Sequence, residues 1–270
     1  MPTTTAPADY HLHTSFSIDC KMSMEAACDE AMRSGLPEIC FTEHVDFVRE
    51  DESTGYFAPD AYFAEIARCR ELFKGRLTIR AGAEVGESHR FRVEQDKLTR
   101  DYPFDFILGS LHWVGADTVM EPTYFAGQSR AQAYGRYFEE LLLLARTGDF
   151  DALTHLDAPK RYEFPTHGAF DSSEFAEEIR EVLNACIERG VGIELNTGSM
   201  RRTEGDPSPS PEVLGWYRDL GGEILTLGSD GHRPAHLAHE FDRALAMIRA
   251  AGFTHLTTFD KRQPRLVRIG

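Results

Sequence analysis

Two histidines, His11 and His13, lie one residue apart in the stretch DYHLHTSFSID near the start of the chain. In an extended strand alternate side chains point to the same face, so both imidazoles are predicted to share one face, with Leu12 on the other. Two imidazoles on one face form a potential chelating pair for a metal ion. Paired histidines also occur as hydrogen-bonded surface groups, so a metal site requires further ligands from the rest of the chain.

Further metal-competent residues follow the apolar runs of the chain. Seven runs each end in a small polar cluster, and in chain order these are HLH (11–13), TEH (42–44), GAE (82–84), SLH (110–112), THLD (154–157), ELN (194–196) and GSDGH (228–232). Together with Asp19 they supply nine candidate metal ligands: His11, His13, Asp19, His44, Glu84, His112, His155, Asp230 and His232. Imidazole mixed with carboxylate favours zinc, iron or manganese, because calcium and magnesium prefer more oxygen ligands. A catalytic ion usually takes three protein ligands, so this set predicts two to three divalent ions that share bridging carboxylates.

The other polar and thiol groups carry weaker signals. The five remaining histidines are interpreted as surface groups or as groups that support the ligands: His89, His167, His236, His239 and His255. Asp157 has two interpretations, because it either orients a ligand or only ends its strand. The five cysteines show no C-x-x-C spacing, which argues against a disulfide framework and against a thiolate zinc site. Cys20 is not assigned, and four cysteines are predicted to be buried reduced thiols: Cys28, Cys40, Cys69 and Cys186.

The elements that must position the ligands alternate along the chain. Apolar runs alternate with amphipathic helical segments, among them a helix that Ser23 caps and Gly35 ends, and a final helix over 235–251. The segment FTHLTTF (253–259) predicts one more strand. Strict alternation implies parallel strands joined by right-handed crossovers. Polar clusters at the carboxyl ends of seven strands favour a barrel over a doubly wound open sheet, which would concentrate them at one crevice.

The composition predicts a single α/β domain. The 270 residues are 41% hydrophobic and 27% charged, as is typical of a globular protein. Residues 1–8 lack the basic and apolar regions of a signal peptide and are predicted to be a disordered tail, which leaves residues 9–270 as the domain.

The net charge of −15 disfavours unspecific binding to nucleic acid. The longest aliphatic run, Leu141 to Leu144, is too short to span a bilayer, so we predict a cytoplasmic protein with no membrane partner. Nothing in the sequence indicates an oligomeric state.

The ordered motifs H-x-H, T-E-H, G-x-E, S-L-H, H-x-D and G-S-D-x-H resemble those of the PHP (polymerase and histidinol phosphatase) family of metallophosphoesterases, from Asp9 to about Arg262. Three segments, HLDAPKRY, ELNTGSMRR and PSPEVLGWYRDLGGEILTLGSDGHRP, are similar to the histidinol-phosphate phosphatases within it. The resemblance implies a distorted (β/α)7 TIM-like barrel. It also implies a trinuclear site, with one ion on His11, His13, Glu84 and Asp230, a second on Glu84, His112 and His155, and a third on Asp19, His44 and His232. Some relatives have histidine in place of Asp19, and Gly231 stands where alanine is common.

The predicted reaction is hydrolysis of a phosphomonoester by in-line attack of metal-bound hydroxide, without a covalent phosphoenzyme. Asp230, His232 and Arg161 are the predicted catalytic residues. Three arginines are candidates for binding the phosphate, because a guanidinium can donate two hydrogen bonds to it: Arg161, Arg201 and Arg202.

The resemblance implies L-histidinol phosphate, an intermediate of histidine biosynthesis, as the substrate. Asp46 and Phe47 are possible contacts for its cationic end. Two alternatives remain: another phosphoesterase of the family, such as a nucleotide phosphatase or exonuclease, and a metal-binding domain without catalytic activity.

Overall fold

Strands and helices alternate in the computed structural model, which describes residues 4–201 and 205–270. The strands within these residues are β1 (Asp9–Leu12), β2 (Glu38–Val45), β3 (Thr78–Gly86), β4 (Phe106–Ser110), β5 (Trp113–Val114), β6 (Asp117–Thr118), β7 (Ala152–Leu153), β8 (Gly192–Asn196), β9 (Leu225–Gly228), β10 (His255–Asp260) and β11 (Gln263–Arg268). The α-helices are α1 (Met24–Arg33), α2 (Pro59–Leu72), α3 (Arg92–Asp101), α4 (Arg130–Thr147), α5 (Lys160–His167), α6 (Ala176–Arg189), α7 (Pro211–Asp219) and α8 (Phe241–Ala250). Short 3-10 helices cover Pro122–Phe125, Ser172–Phe175, Gly198–Arg201 and Pro234–His236.

The central sheet is parallel and nearly closed into a barrel. Its order is β1-β2-β3-β4-β7-β8-β9 in the described residues. The two edge strands meet just beyond their carboxyl ends, where the His13 N–H donates to the Gly231 carbonyl at 3.0 Å and the Gly231 N–H donates to the His11 carbonyl at 3.3 Å. The predicted distorted (β/α)7 barrel is therefore confirmed, and its closure brings the first and last ligand-bearing strands side by side.

Alternation along the strands separates the outer core from the barrel interior. Ile39 and Phe41 of β2 pack into the large cluster that includes the helices, whereas Cys40 belongs to a small inner cluster. The inner cluster consists of Ala8, Tyr10, Cys40, Phe106, Leu108, Ala152 and Phe259. Strand β1 departs from the regular period, because its register against β2 shifts between Asp9 and Leu12. This irregularity lets Tyr10 join the inner cluster while Leu12 packs outside.

The antiparallel hairpin of β10 and β11 packs against the amino-terminal end of the barrel. The Phe259 N–H donates to the Tyr10 hydroxyl at 2.7 Å, and this hydroxyl donates to Glu38 Oε1 at 2.5 Å. The rings of Phe106 and Phe259 lie 4.8 Å apart. The strand predicted at 253–259 is therefore present, but it belongs to this hairpin and not to the barrel sheet.

Local sequence signals explain most of the helix boundaries. The Ser23 side chain accepts from the Ala26 N–H at the start of α1, and Gly35 has a φ of 80°, as expected for the residue that ends a helix. The predicted final helix is shorter than 235–251, because a 3-10 turn precedes it and α8 begins at Phe241. Helix α5 was not predicted, since its internal Pro165 normally disfavours a helix.

Residues 4–8 differ from the predicted disordered tail. The Thr4 N–H donates to the Ser34 carbonyl at 2.9 Å, and Ala6 and Ala8 are buried. Small alanine side chains fit against the barrel at little entropic cost. The division into a tail over 1–8 and a domain over 9–270 stays a prediction. In the part of the chain that the structure describes, no helix is long and apolar enough to cross a membrane.

Replacing Phe259 by Ala is expected to lower the free energy of unfolding by about 3–5 kcal/mol, because it empties a buried aromatic position at the base of the barrel. Urea denaturation would measure the loss. Leu266→Ala on the same hairpin is the control, since Leu266 is 58% exposed and its removal should cost less than about 0.5 kcal/mol. Equal stability of the two variants would contradict the role of the hairpin as part of the core.

Candidate metal centre

The polar clusters that end the barrel strands line one cavity of about 870 Å³. Parallel strands place their carboxyl ends on the same side of a barrel, which explains why residues so distant in sequence meet there. The residues that line it include Asp19, His44, Glu84, His112, His155, Arg161, Arg201, Asp230 and His232. His11 and His13 lie directly beneath, fully buried.

A first group of ligand atoms converges around His11 and His13. Their Nε2 atoms are 3.0 Å apart, and Glu84 Oε2 lies 3.2 Å from His11 Nε2 and 3.5 Å from His13 Nε2. Asp230 Oδ1 lies 3.8 and 3.6 Å from the same two nitrogens. Metal–ligand bonds of about 2.0–2.1 Å in a tetrahedral site put ligand atoms about 3.3 Å apart. The distances from the two imidazoles to each other and to the two carboxylates are close to this spacing, and His11, His13 and Asp230 form a group that could hold an ion.

A second group shares Glu84 with the first. The other carboxylate oxygen, Oε1, lies 2.8 Å from His155 Nε2 and 3.3 Å from His112 Nε2. One carboxylate thus faces two ligand groups through its two oxygens, the arrangement required of a bridging ligand. His155 reaches it from a left-handed backbone conformation, with a φ of 26°.

A third group lies nearer the mouth of the cavity. Asp19 Oδ2 is 3.0 Å from His232 Nε2 and 3.6 Å from His44 Nε2. Nitrogens of His13, His44 and His232 also lie within 4.8 Å of one another, so His13 stands between the first and third groups. The side chain of Asp19 is 51% exposed, which makes it the most solvent-accessible of the nine candidates.

All nine candidate ligands are brought together, and the described residues form several groups that could each hold a metal ion. A different grouping, His44 with Asp46 and His112, is also close enough to hold an ion.

The PHP domain family matches residues 9–198 of the chain, more than half of its length. This chain is a member of the PHP domain family. It is 32% identical to a histidinol-phosphatase from Lactococcus lactis subsp. lactis (strain IL1403) over 256 residues, which cover 93% of this chain and 93% of that protein. The fold of this chain is similar to the crystal structure of a histidinol phosphate phosphatase from the same strain, complexed with zinc, L-histidinol and phosphate. The TM-score is 0.89 and the sequence identity is 29%, and the match covers 96% of this chain and 98% of that one.

Two arginines of this PHP domain are oriented by contacts at the cavity. Arg161 Nη1 lies 3.1 Å from Asp230 Oδ2, and its Nη2 donates to Asn196 Oδ1 at 3.0 Å. Arg201 donates to two backbone carbonyls, those of Ser229 at 2.6 Å and Asp230 at 2.8 Å. Both line the cavity. The third candidate, Arg202, lies outside the described residues.

Buried groups behind the imidazoles were not recognised in the sequence. Glu194 Oε1 lies 2.8 Å from His11 Nδ1, the nitrogen that faces away from the other ligands. His13 Nδ1 lies 3.1 Å from the hydroxyl of Ser17, which donates to Glu43 Oε2 at 2.7 Å. ELN and TEH were identified as polar clusters, but the role of their glutamates depends on contacts with residues of another strand or loop.

A third carboxylate lies behind His112. Asp46 Oδ1 is 3.5 Å from His112 Nδ1, and Asp46 Oδ2 accepts from the Ser53 hydroxyl at 2.6 Å. Asp46 and Phe47 line a separate cavity of about 570 Å³, and neither is among the described residues that line the ligand cavity. The expectation that they contact the cationic end of a substrate is therefore not supported by their position.

Of the two interpretations of Asp157, orienting a ligand or ending its strand, the structure favours a structural role. Its carboxylate accepts from Lys160 Nζ at 2.8 Å and from the Ser208 hydroxyl, and Lys160 Nζ also donates to the Pro207 carbonyl at 2.6 Å. These contacts join α5 to the loop after β8. Asp157 therefore organises the wall of the cavity and makes no hydrogen bond with His155 in the described residues.

The carboxylates and imidazoles of the centre shift the pKa values of one another. Burial opposes ionisation of Glu84, but imidazoles led by His11 hold its pKa well below the ordinary value. Burial also opposes ionisation of Asp230, whereas His11 and Arg161 lower its pKa well below its usual range. Burial and neighbouring imidazoles lower the pKa of His13, so its ring is neutral. Although burial opposes protonation, neighbouring carboxylates raise the pKa of His11, His44 and His112 well above the ordinary value. Metal ions bind charged carboxylates and neutral imidazoles, so ions would compete with protons for these three rings.

Replacing Glu84 by Gln is expected to reduce bound zinc by about one equivalent or more, because the amide removes the negative charge and replaces one of the two oxygens that face the two ligand groups. Elemental analysis after loading with zinc and removal of free metal would measure it. Glu177→Gln, an isosteric change at an exposed position of α6, is the matched control and should retain the wild-type content. Wild-type zinc content in Glu84→Gln would refute the bridging assignment.

Proposed function

We propose that this protein hydrolyses L-histidinol phosphate to L-histidinol and phosphate. The observation that carries the proposal is that one cavity combines metal-ligand groups, linked by Glu84, with an oriented arginine. The chain is also similar over almost its whole length to a histidinol-phosphatase. A phosphate ester needs strong stabilisation of charge on its phosphoryl oxygens, since its uncatalysed hydrolysis is among the slowest reactions known. A cytoplasmic location stays a prediction.

The proposed cofactors are two to three divalent ions, with zinc, iron or manganese as the candidates. His11, His13, Glu84 and Asp230 would hold one, Glu84, His112 and His155 a second, and Asp19, His44 and His232 a third. When bound, such ions neutralise phosphoryl charge and lower the pKa of water toward neutrality. The mixed imidazole and carboxylate donors and the 3.0–3.8 Å spacing of the first group support this assignment.

The residues of the chain itself would orient the phosphate. Arg161 is held by Asn196 and Asp230, so its guanidinium is oriented before substrate binds and loses little rotamer entropy on binding. Arg201 is fixed by the carbonyls of Ser229 and Asp230. We propose that both donate to phosphoryl oxygens, with Asp230 and His232 at the reacting centre. The assignment of Arg202 stays a prediction.

Substrate selectivity tests the proposed activity. The ratio kcat/KM for L-histidinol phosphate is expected to exceed the ratios for serine phosphate and glycerol phosphate by about 100-fold or more, because a site that binds the imidazole and amine discriminates against esters that lack them. Steady-state assays of phosphate release with the same metal-loaded preparation would measure it. Similar values for the three alkyl esters would indicate a phosphatase of broad specificity, and the assignment would be withdrawn.

Arg161→Ala is expected to cost about 2–4 kcal/mol in kcat/KM for histidinol phosphate, through loss of charge-assisted donors to the phosphoryl group. Arg161→Lys should recover part of this loss, because it retains the charge but not the two-pronged geometry. The metal content of both variants, measured in parallel, should stay at the wild-type level. Arg146→Ala, at an exposed position of α4, is the control and should leave kcat/KM unchanged. An effect of Arg161→Ala no larger than that of the control would remove Arg161 from the site.

A further inference from the structure

Glu194 is a buried carboxylate that lies behind one of the proposed metal ligands. It belongs to β8, within the barrel, and is fully shielded from solvent. Its Oε1 atom lies 2.8 Å from His11 Nδ1. The other nitrogen of that ring, Nε2, faces His13 and Glu84 in the first ligand group. Glu194 therefore contacts the side of the imidazole that is turned away from the metal centre.

Neighbouring side chains fix the other oxygen of Glu194. Its Oε2 atom accepts from the Thr154 hydroxyl and, at 3.1 Å, from Asn196 Nδ2. The amide oxygen of Asn196 is used by Arg161 Nη2 at 3.0 Å, so the orientation of this amide is determined. With Oε2 satisfied by two donors, Oε1 is the oxygen that faces His11 Nδ1. The Thr154 hydroxyl and Asn196 Nδ2 lie farther from that nitrogen, each at 3.3 Å.

The backbone leaves space for this arrangement at Gly228. A Cβ atom at that position would collide with Glu194 Oε1 and with the Cβ of His11. The φ of Gly228 is not positive, so the glycine is required by the close approach of the two side chains and not by its backbone conformation. Three strands, β1, β8 and β9, thus contribute to one contact.

We propose that Glu194 is a positioning residue, which holds His11 in the tautomer with the proton on Nδ1 and turns Nε2 toward the metal ion. A neutral imidazole has one N–H, and a hydrogen bond from Nδ1 to a carboxylate leaves the lone pair on Nε2 for the metal. The carboxylate also increases the basicity of the ligating nitrogen. This inference rests on the metal centre of the proposed function and adds a residue that touches neither metal nor substrate.

The carboxylate of Glu194 lies closer to its imidazole than the carboxylates behind His112 and His13 lie to theirs. Asp46 Oδ1 is 3.5 Å from His112 Nδ1, and a serine hydroxyl separates Glu43 from His13. The carboxylate behind His11 therefore accepts its proton at hydrogen-bond distance, and a change in its charge acts on the ring without an intermediate group.

The test compares zinc affinity in two isosteric variants, Glu194→Gln and Glu163→Gln. Metal-free protein is equilibrated with zinc against graded concentrations of a chelator, and the zinc retained is measured. Glu194→Gln is expected to weaken zinc binding by about 10- to 100-fold. Excess zinc should restore its kcat, while KM for histidinol phosphate stays near the wild-type value. Thr154→Val, which removes the hydroxyl donor to Glu194, should show a smaller loss in the same direction.

Glu163 is the matched control, because it is equally buried and paired, with Arg130 Nε at 2.5 Å and the Tyr134 hydroxyl at 2.9 Å. Glu163→Gln should lower thermal stability and leave zinc affinity unchanged. Wild-type affinity in Glu194→Gln, or an equal loss in Glu163→Gln, would overturn the proposal. If Glu194→Gln does not fold, Thr154→Val decides, and unchanged affinity in that variant overturns it.

Failure of the proposed function has a different signature. A wild-type protein that retains no zinc would refute the metal centre itself. Zinc affinity that depends on Glu194, in a protein that does not hydrolyse histidinol phosphate, would leave the positioning role intact and refute the substrate.

Discussion

The carboxylate of Glu84 is the group on which the rest of the site depends. It is almost completely buried at the end of a central barrel strand, and its two oxygens face two different sets of imidazoles. A charge in such a position costs several kcal/mol unless cations or hydrogen-bond donors compensate it. The barrel meets this requirement by placing ligand-bearing strand ends on every side of Glu84, which is also what a bridged metal centre needs.

The two ends of the barrel have different chemistry for this reason. At the amino-terminal end, Tyr10, Phe106 and Phe259 fill the interior with aromatic rings and the terminal hairpin packs against them. Toward the carboxyl end, the inward positions become histidine, glutamate, asparagine and threonine. Burial of apolar surface at one end stabilises a scaffold that holds polar groups close together at the other, where they could not stabilise the fold by themselves.

Around the ligands, a layer of uncharged donors and carboxylates limits the conformations of each imidazole. The hydroxyls of Ser17 and Thr154 donate to glutamates of other segments of the chain, whereas Asn196 donates to Glu194 within the same strand. The same network reaches Arg161 through Asn196, so the groups proposed to hold metal and phosphate are positioned by shared contacts. Such sharing explains how a cavity of about 870 Å³ can present its polar groups in a fixed arrangement.

The sequence by itself determined the alternation of elements, the barrel and the positions of the nine candidate ligands. These follow from local rules: side chains alternate along strands, polar residues follow apolar runs, and Ser23 and Gly35 mark helix ends. Periodicity also placed His11 and His13 on one face, as their Nε2 distance of 3.0 Å confirms. The motif resemblance supplied the division of the ligands into three groups.

Only the tertiary structure decided which groups lie behind each ligand. Glu194 and His11 are 183 residues apart, and their contact depends on barrel closure, on the shifted register of β1 and on the missing side chain at Gly228. The helix around Pro165 forms because packing overrides the local preference of proline. The hairpin that carries Phe259 forms because it completes the inner core of the barrel. Contacts between distant strands are set by register and closure, which have no signature in any single stretch of sequence.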